Sequence, residues 1–191
     1  HQIAYEEAKD LVGEIEAVLE GGSYGNKSQI RALHRQSVVY IRFGQAARAL
    51  TCAERARELS EKYFGEEHPL FVDSMLYLNC VYSDLGQVKE SLVAGKKGLE
   101  ISLSLYGAEH PDVATSYNNV GGSYFSLGEL SKGLSYQEKA LDIVLNLYGE
   151  DHPDVATSYS NVGGSYCRLG EFAKGLEYCE KALELSLSLY G

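Results

Sequence analysis

The 191-residue chain is 45% hydrophobic and 23% charged, with three prolines, which is the composition of a folded protein with a sizeable core. Its net charge of −10 argues against a nucleic-acid partner, because nucleic-acid-binding proteins need a basic surface to displace counterions from phosphate. No apolar run approaches the roughly 20 residues that a membrane-spanning helix needs, so no membrane partner is predicted.

The four cysteines lie within apolar helical patterns and lack the Cys-x-x-Cys spacing of a zinc site. A reducing compartment is therefore the better prediction, and we expect a cytoplasmic protein. The chain begins with His1 rather than Met and stops at a repeat boundary, so we expect it to be a piece of a longer protein.

The first segment, residues 1–22, places apolar side chains at helical spacing with acidic residues on the opposite face. Gly21 and Gly22 end the pattern. This segment is predicted to be one helix, and two alternatives stay open for it: the second helix of an incomplete repeat, or a capping helix.

From Asn26 onward the sequence repeats with a period of 42. Tyr40 and Gly44 each recur three times at this interval, and the last two repeats are identical at most of their positions. A period of this size that holds two helical segments is typical of stacked helical repeats with one continuous core. The predicted repeats are residues 26–65, 66–107, 108–149 and 150–191.

Within the third repeat we predict helices over about 111–127 and about 130–147. Pro111 suits a first helical turn, where its missing N–H would have no partner. Gly128 separates the two helices, and Gly149 ends the second. The repeat is therefore predicted to be one helical hairpin.

Gly121-Gly122 and Gly163-Gly164 form tandem glycines inside predicted helices. A phosphate-binding loop would need a Gly-x-x-x-x-Gly-Lys-Ser/Thr pattern after a strand, which is absent here. Because glycine inside a helix costs about 1 kcal/mol relative to alanine, a close approach of paired helices is the better interpretation.

The residue pattern of these hairpins resembles the tetratricopeptide repeat. The residues that carry the resemblance in the third repeat are Tyr117, Val120, Gly121, Tyr124, Gly128 and Ala140. The period of 42 and the strings HPDVATSYNN and EKALDI resemble the kinesin light chain class of this repeat. The resemblance implies an all-α fold: a right-handed superhelical solenoid of antiparallel helix pairs. The second repeat departs from the pattern, with Asn79 in the place of Gly121.

Three histidines, His68, His110 and His152, each precede a proline at the same point of successive repeats. Neighbouring hairpins lie about one helix diameter apart, roughly 10 Å, so these side chains do not converge on one zinc ion. We interpret them as helix-start residues. No catalytic residue, metal site or cofactor is predicted.

The resemblance also implies that the first helix of each hairpin lines a concave, partner-binding face. Asn119 and Asn161 match the asparagine that hydrogen-bonds the backbone of an extended ligand in peptide-binding relatives. The alternative is that they are solvated or contact the next repeat. The residues predicted on this face of the last three repeats also include Tyr77, Asn118, Phe125 and Arg168, with Tyr77 and Phe125 as aromatic contacts.

The first repeat places Arg31, Arg35 and Arg42 on the same helical face, together with His34. Residues 66–191 carry the whole net charge of −10, so the arginines form a local positive pole. An arginine fork binds carboxylates, which indicates an acidic partner. The alternatives are a solvated basic face or pairing with another domain.

The function predicted from these patterns is non-enzymatic: an interaction scaffold that binds an extended peptide or partner segment in its concave groove. One alternative is self-association through the terminal helix, whose apolar stripe is Leu176, Cys179, Leu183 and Leu187. Another is a regulatory, ligand-sensing segment of a multidomain signalling or innate-immune protein.

Overall fold

The computed structural model describes residues 25–190, and these form α-helices joined by short turns. The helix predicted within residues 1–22 lies outside the described residues. The first helices of the hairpins are α1 (Asn26–Arg42), α3 (Pro69–Asp84), α5 (Pro111–Ser126) and α7 (Pro153–Arg168). The second helices are α2 (Ala46–Phe64), α4 (Val88–Tyr106), α6 (Leu130–Tyr148) and α8 (Phe172–Tyr190).

The helices of the third repeat begin and end within one residue of the predicted bounds. The starts of the second helices recur at the interval of the sequence repeat, as do those of α3, α5 and α7. The chain divides into two compact units at Ala94, within α4. We call the described parts the N-terminal block (25–94) and the C-terminal block (95–190).

The start of α3, α5 and α7 is built in the same way each time. His68, His110 and His152 have extended backbone, and the Nδ1 atom of each accepts a hydrogen bond from the backbone N–H two residues later, at 3.1–3.2 Å. The imidazole rings pack against the aromatic residue four positions earlier, with centroids 4.0–4.7 Å apart, stacked at His110 and His152 and tilted at His68. The interpretation of these histidines as helix-start residues is confirmed.

The turn between the helices of each hairpin depends on a glycine. Gly128 has a φ of +80°, in the left-handed region that costs other residues energy, and Gly44, Gly86 and Gly170 have φ values of +68° to +82°. In the turn at Gly128, the backbone N–H of Glu129 donates to the carbonyl of Tyr124 at 3.0 Å. A closure of this kind ends the first helix and turns the chain into the second.

The closest approach of the paired helices in the C-terminal block is at Gly121 and Gly133. A Cβ atom on Gly121 would lie 3.0 Å from the Gly133 carbonyl oxygen, and one on Gly133 would lie 2.7 Å from the Phe125 ring. Gly163 and Gly175 repeat this contact between α7 and α8. By contrast, Gly122 has no atom within 4 Å of its Cβ position. The packing interpretation is therefore right for the first glycine of each tandem pair only.

In the N-terminal block, the equivalent contact between the two helices of a hairpin is made by polar side chains. Asn79 and Ser91 stand at the positions of Gly121 and Gly133, and both are buried. The Asn79 amide donates to the Ser91 carbonyl at 2.8 Å, and the Ser91 hydroxyl donates to the Asn79 carbonyl at 3.0 Å. The departure noted in the second repeat thus replaces bare backbone contact by reciprocal hydrogen bonds.

Gly121→Ala and Gly122→Ala should change stability in opposite directions. The added methyl at Gly121 meets backbone of the paired helix, so we expect a loss of about 1–3 kcal/mol in the free energy of unfolding. At Gly122 the methyl enters open space, so the helix should gain about 0.5–1 kcal/mol from the removal of a flexible residue. Urea denaturation of the two variants checks this, and equal shifts would contradict the close-approach argument.

Candidate functional site

All nine predicted site residues lie on first helices. Arg31, Arg35, Arg42 and Arg168 are exposed; Tyr77, Asn118, Asn119 and Asn161 are half-buried; Phe125 is buried. Four of them belong to the N-terminal block and five to the C-terminal block, and we call the two groups the N-terminal surface and the C-terminal surface. The N-terminal surface carries Arg31, Arg35, Arg42 and Tyr77, and the C-terminal surface carries Asn118, Asn119, Phe125, Asn161 and Arg168.

The N-terminal surface is organised around His34, which is 3% exposed. Its expected position on the exposed face is therefore wrong: the imidazole ring stacks on Tyr77, with centroids 4.3 Å apart, and its Nε2 atom is 2.9 Å from the Ser74 hydroxyl. Burial, together with the Arg31 charge, lowers the pKa of His34 from 6.5 to about 4. The neutral imidazole ring of His34 therefore packs against one face of the Tyr77 ring.

Tyr77 is half-buried, because one face of its ring packs on His34. Burial, with the charges of Asp73 and Cys80, raises the pKa of its phenol, and the nearby Arg35 opposes this rise. The phenol is therefore a neutral hydrogen-bonding group beside an exposed guanidinium. These two side chains offer a partner an aromatic face and a cation together.

The pair of Ser74 and His34 has the partners of a serine nucleophile and its base. However, Ser74 is 0% exposed, and its hydroxyl donates to the Leu70 carbonyl at 2.8 Å. A substrate does not reach this oxygen, so the pair holds α1 against α3 rather than performing chemistry.

On the C-terminal surface, Asn119 and Asn161 occupy equivalent positions of α5 and α7. Their backbone carbonyls accept hydrogen bonds from Ser123 and Ser165, at 3.2 and 2.9 Å. Within residues 25–190, neither side-chain amide has a hydrogen-bond partner. Each amide is thus a donor and acceptor pair that is available to a ligand.

Phe125 does not offer an aromatic contact, which corrects that expectation. The side chain is 6% exposed because its ring lies against Gly133, where the absent Cβ leaves room for it. The Arg168 guanidinium covers the ring at 5.5 Å from its centroid. The exposed side chain at this position is therefore Arg168, which packs on the Phe125 ring.

A cavity of about 250 Å³ opens on the C-terminal surface beside α5 and α7. Asn118 lines it, and the Oδ1 atom of that side chain is buried and has no hydrogen-bond partner among the described residues. The sequence reasoning missed this cavity, because no motif marks it. Its lining residues are Pro111, Ala114, Thr115, Asn118, Val144, Asp154, Thr157 and Ser158.

Residues 25–190 contain no group of three or more His, Cys, Asp or Glu side chains that could hold a metal ion. None of the eight described helices is long and apolar enough to cross a membrane. No disulfide bond is formed among the described residues, which include the cysteines at 52, 80, 167 and 179.

Comparison with protein families agrees with the repeat pattern. Sequence models of the tetratricopeptide repeat match residues 112–186, and also residues 30–70 and 72–112. No curated protein gives a significant match.

Several solved structures have the same fold. The chain is similar to BtubC (BKLC) from P. vanneervenii, with a TM-score of 0.79 and 23% identity over 98% of this chain and 75% of that chain. A putative kinesin light chain from Podosopora anserina, with nearly identical TPR-like repeats, gives a TM-score of 0.77 and 19% identity over 98% of this chain and 90% of that chain. These likenesses show an all-α helical repeat solenoid.

A third similar structure is a Rap protein complexed with competence and sporulation factor. Its TM-score is 0.76 at 17% identity, over 97% of this chain and 51% of the Rap chain. The chain therefore spans about half the length of that protein, and the likeness is one of fold.

The buried His34 should make stability fall as the pH drops from 6.5 to 4. The unfolded chain binds a proton at His34 near pH 6.5, whereas the folded chain resists protonation down to about pH 4. Stability that is fully present above pH 6.5 is then lost across this range, by about 3 kcal/mol from this group.

His34→Leu is the matched variant, because Leu76 occupies the equivalent position of the second repeat. Urea denaturation at pH 7.5, 6, 5 and 4 should show the stability difference between parent and variant shifting in favour of the variant below pH 6.5. Parallel pH profiles would show that His34 is not titrating between these limits.

Proposed function

Because the chain belongs to the tetratricopeptide repeat family, we propose that it is a non-catalytic interaction scaffold of the kinesin light chain-like class, which binds an extended peptide along its first helices. Repeats of this family indicate a protein-interaction scaffold, and the finer assignment to peptide binding rests on the exposed groups of α1, α3, α5 and α7. The observation that carries it is the pair of unpartnered asparagine amides, Asn119 and Asn161.

The two asparagines suit an extended backbone. They lie at equivalent positions on neighbouring first helices, and each is half-buried, so its amide has a fixed surrounding before a ligand arrives. A peptide unit presents one donor and one acceptor, which an asparagine amide matches with its own acceptor and donor. Because a peptide backbone has the same groups whatever its sequence, these amides would provide affinity, and the side chains beside them specificity.

The N-terminal surface supports an acidic partner residue. Arg31 and Arg35 are exposed on one face of α1, and Tyr77 lies beside Arg35 on α3. A guanidinium binds a carboxylate through two parallel hydrogen bonds, and the adjacent phenol can donate a third. Arg42 adds positive charge in the last turn of α1.

Two further observations are in line with this proposal. A Rap protein of the same fold is solved as a complex with competence and sporulation factor, so this type of repeat accommodates a bound partner there. The four cysteines form no disulfide bond within the described residues, which fits a reducing compartment, so we propose a cytoplasmic scaffold.

Peptide binding should weaken when the asparagine amides are removed. The probe is a set of fluorescent nonapeptides selected on the full chain from a random library. The double variant Asn119→Ala/Asn161→Ala should raise the dissociation constant about 10-fold or more, because each lost hydrogen bond is worth about 1 kcal/mol. Fluorescence anisotropy measures this. An unchanged dissociation constant would exclude the asparagines, and failure to select any peptide would overturn the proposed function.

Arg35→Glu tests the role of the arginines on the N-terminal surface, with acidic nonapeptides as the probe. Reversal of the charge should weaken binding about 5-fold or more and reduce its salt dependence, since an attractive pair becomes repulsive. The control is Lys89→Glu, which makes the same change of charge at an exposed position of the second helix α4. Equal losses of affinity in the two variants would show a general effect of net charge rather than a binding site at Arg35.

Self-association is the alternative function that the structure favours with an observation of its own. Leu176, Leu183 and Leu187 on α8 are 58–61% exposed, whereas Leu141, the equivalent of Leu183 on α6, is buried. An exposed apolar stripe of this kind is typical of a contact surface.

Light scattering over a concentration series decides this alternative. If α8 mediates association, the mean mass should rise with concentration, and Leu183→Glu should return the chain to a monomer while Lys174→Glu does not. A monomeric mass at every concentration would exclude the alternative for this chain.

A further inference from the structure

Another cavity, of about 350 Å³, lies in the N-terminal block and is open to solvent. Its lining includes Met75 and Leu78 of α3 and Ala94 of α4, which are buried and form its floor. The Tyr82 ring lines it as well, and Val93, which is 70% exposed, lies at its mouth. The cavity is therefore mainly apolar, with one aromatic wall.

This cavity lies on the other side of α3 from the N-terminal surface. Successive residues of an α-helix are about 100° apart, so Met75, Leu78 and Tyr82 share one side of α3 and Tyr77 lies opposite them. None of the residues of the proposed peptide-binding surfaces lines the cavity. A ligand here would thus occupy a site distinct from those surfaces.

The third repeat fills the equivalent space with tyrosine rings. One period of 42 after Met75 and Ala94, the chain has Tyr117 and Tyr136. The Tyr136 ring contacts both Tyr117 and Tyr124, with centroids 5.7 and 5.3 Å apart. Distances of this size are typical of favourable aromatic pairs.

The fourth repeat contains the same cluster. Tyr178 contacts Tyr159 and Tyr166, with centroids 5.9 and 5.5 Å apart. Tyr166 is the equivalent of Tyr82, which the second repeat retains. The second repeat therefore keeps one ring of a three-tyrosine cluster, and the cavity lies where the other two rings are missing.

The first repeat occupies this space with a different side chain. Gln36 stands at the position of Leu78 and is buried. Its Nε2 atom donates to the Tyr40 hydroxyl at 3.5 Å, and its Oε1 atom accepts from the Cys52 thiol at 3.5 Å. Cys52 stands at the position of Ala94. Three of the four repeats thus fill this space with their own side chains, and the second leaves it open.

From this comparison we infer that the cavity receives a tyrosine side chain from a partner protein. The ring takes the place that Tyr136 and Tyr178 have in their own hairpins. It lies over Met75 and Ala94, and it pairs with the Tyr82 ring as Tyr136 does with Tyr124. This inference goes beyond the proposed peptide function, because it concerns another face of the N-terminal block.

The rim of the cavity favours tyrosine over phenylalanine. Arg57 and Glu90 line the cavity beside its apolar residues. They offer a donor and an acceptor to a hydroxyl group at the mouth. A phenol therefore suits both the apolar floor and the charged rim.

The mouth favours a partner chain over a free small molecule. Small-molecule sites bury most of the surface of their ligand, whereas this cavity is open and has the exposed Val93 beside it. Val93 adds apolar surface that a partner chain can cover. The other repeats have polar side chains at this position: Thr51, Ser135 and Glu177.

The direct test uses Met75, the one methionine of the chain, whose ¹³C-labelled methyl group reports on this cavity alone. Blocked tyrosine, N-acetyl-tyrosine N-methylamide, is titrated into the full chain and followed by NMR. The ring should shift the methyl signal in a saturable way, with a dissociation constant on the order of 1–10 mM for a single side chain. Absence of a saturable shift overturns the inference.

Competing ligands decide the identity of the occupant. Blocked phenylalanine should bind about 3-fold or more weakly than blocked tyrosine, because it lacks the hydroxyl, and blocked leucine should not compete. Equal affinity for phenylalanine overturns the choice of tyrosine, and equal affinity for leucine overturns an aromatic occupant. Binding of p-cresol without binding of blocked tyrosine overturns the partner chain in favour of a free phenol. The same methyl shift on concentrating the chain alone overturns it in favour of a second copy.

Two variants and one control complete the test. Ala94→Tyr restores the residue of the later repeats and should abolish the response of the Met75 methyl. Ala94→Leu fills less of the space, so it keeps the test decisive if the larger ring disturbs folding, and it should weaken binding about 5-fold or more. Ala47→Tyr adds the same ring at an exposed position of α2 that does not line the cavity, and it should leave the response unchanged. Parental affinity in both Ala94 variants overturns the inference.

The double variant Asn119→Ala/Asn161→Ala separates this inference from the proposed function. It should leave the response of Met75 to blocked tyrosine unchanged, because neither asparagine lines the cavity. A loss of the Met75 response in this variant overturns the separate site. Failure of the peptide selection overturns the scaffold proposal alone, since the tyrosine titration needs no selected peptide.

Discussion

The contact between the two helices of a hairpin, at the level of Gly121 and Gly133, is the constraint on which the rest of the chain depends. At this level the backbones approach so closely that a Cβ on either glycine would meet a carbonyl oxygen at 3.0 Å. The same level is formed by Gly163 and Gly175 in the last hairpin and by Asn79 and Ser91 in the second. A pair of glycines and a pair of reciprocally hydrogen-bonded side chains therefore both meet the same geometric requirement of a close approach.

Once this contact is fixed, a single position in the repeat can serve either packing or binding. His34 and Asn118 occupy the same position, yet the imidazole is hydrogen-bonded to Ser74, whereas the shorter Asn118 lines a cavity. The backbone is the same in both cases, because the helix bounds differ by about one residue from repeat to repeat. Variation at one register position is thus enough to convert an interior layer into a candidate pocket.

The two blocks differ in the charged groups that they expose. The arginines of α1 lie on the N-terminal surface, where exposed guanidinium groups favour a carboxylate. The cavity of the C-terminal block is lined by Asp154 and by no lysine or arginine.

The sequence alone determined the period, the helix bounds, the histidine helix starts and the turn glycines, because each depends on residues close together in the chain. Pro111 and Gly128 limit α5 through backbone conformation, and no distant contact is needed to predict them. Tertiary structure decided which residues are accessible. Phe125 and His34 were expected on an exposed face but are buried, because Gly133 makes room for one ring and Ser74 and Tyr77 enclose the other. The cavity at Asn118 also needs residues of α6 and α7 to form its walls. Burial is set by side chains that meet across helices, and a helical period cannot specify their size.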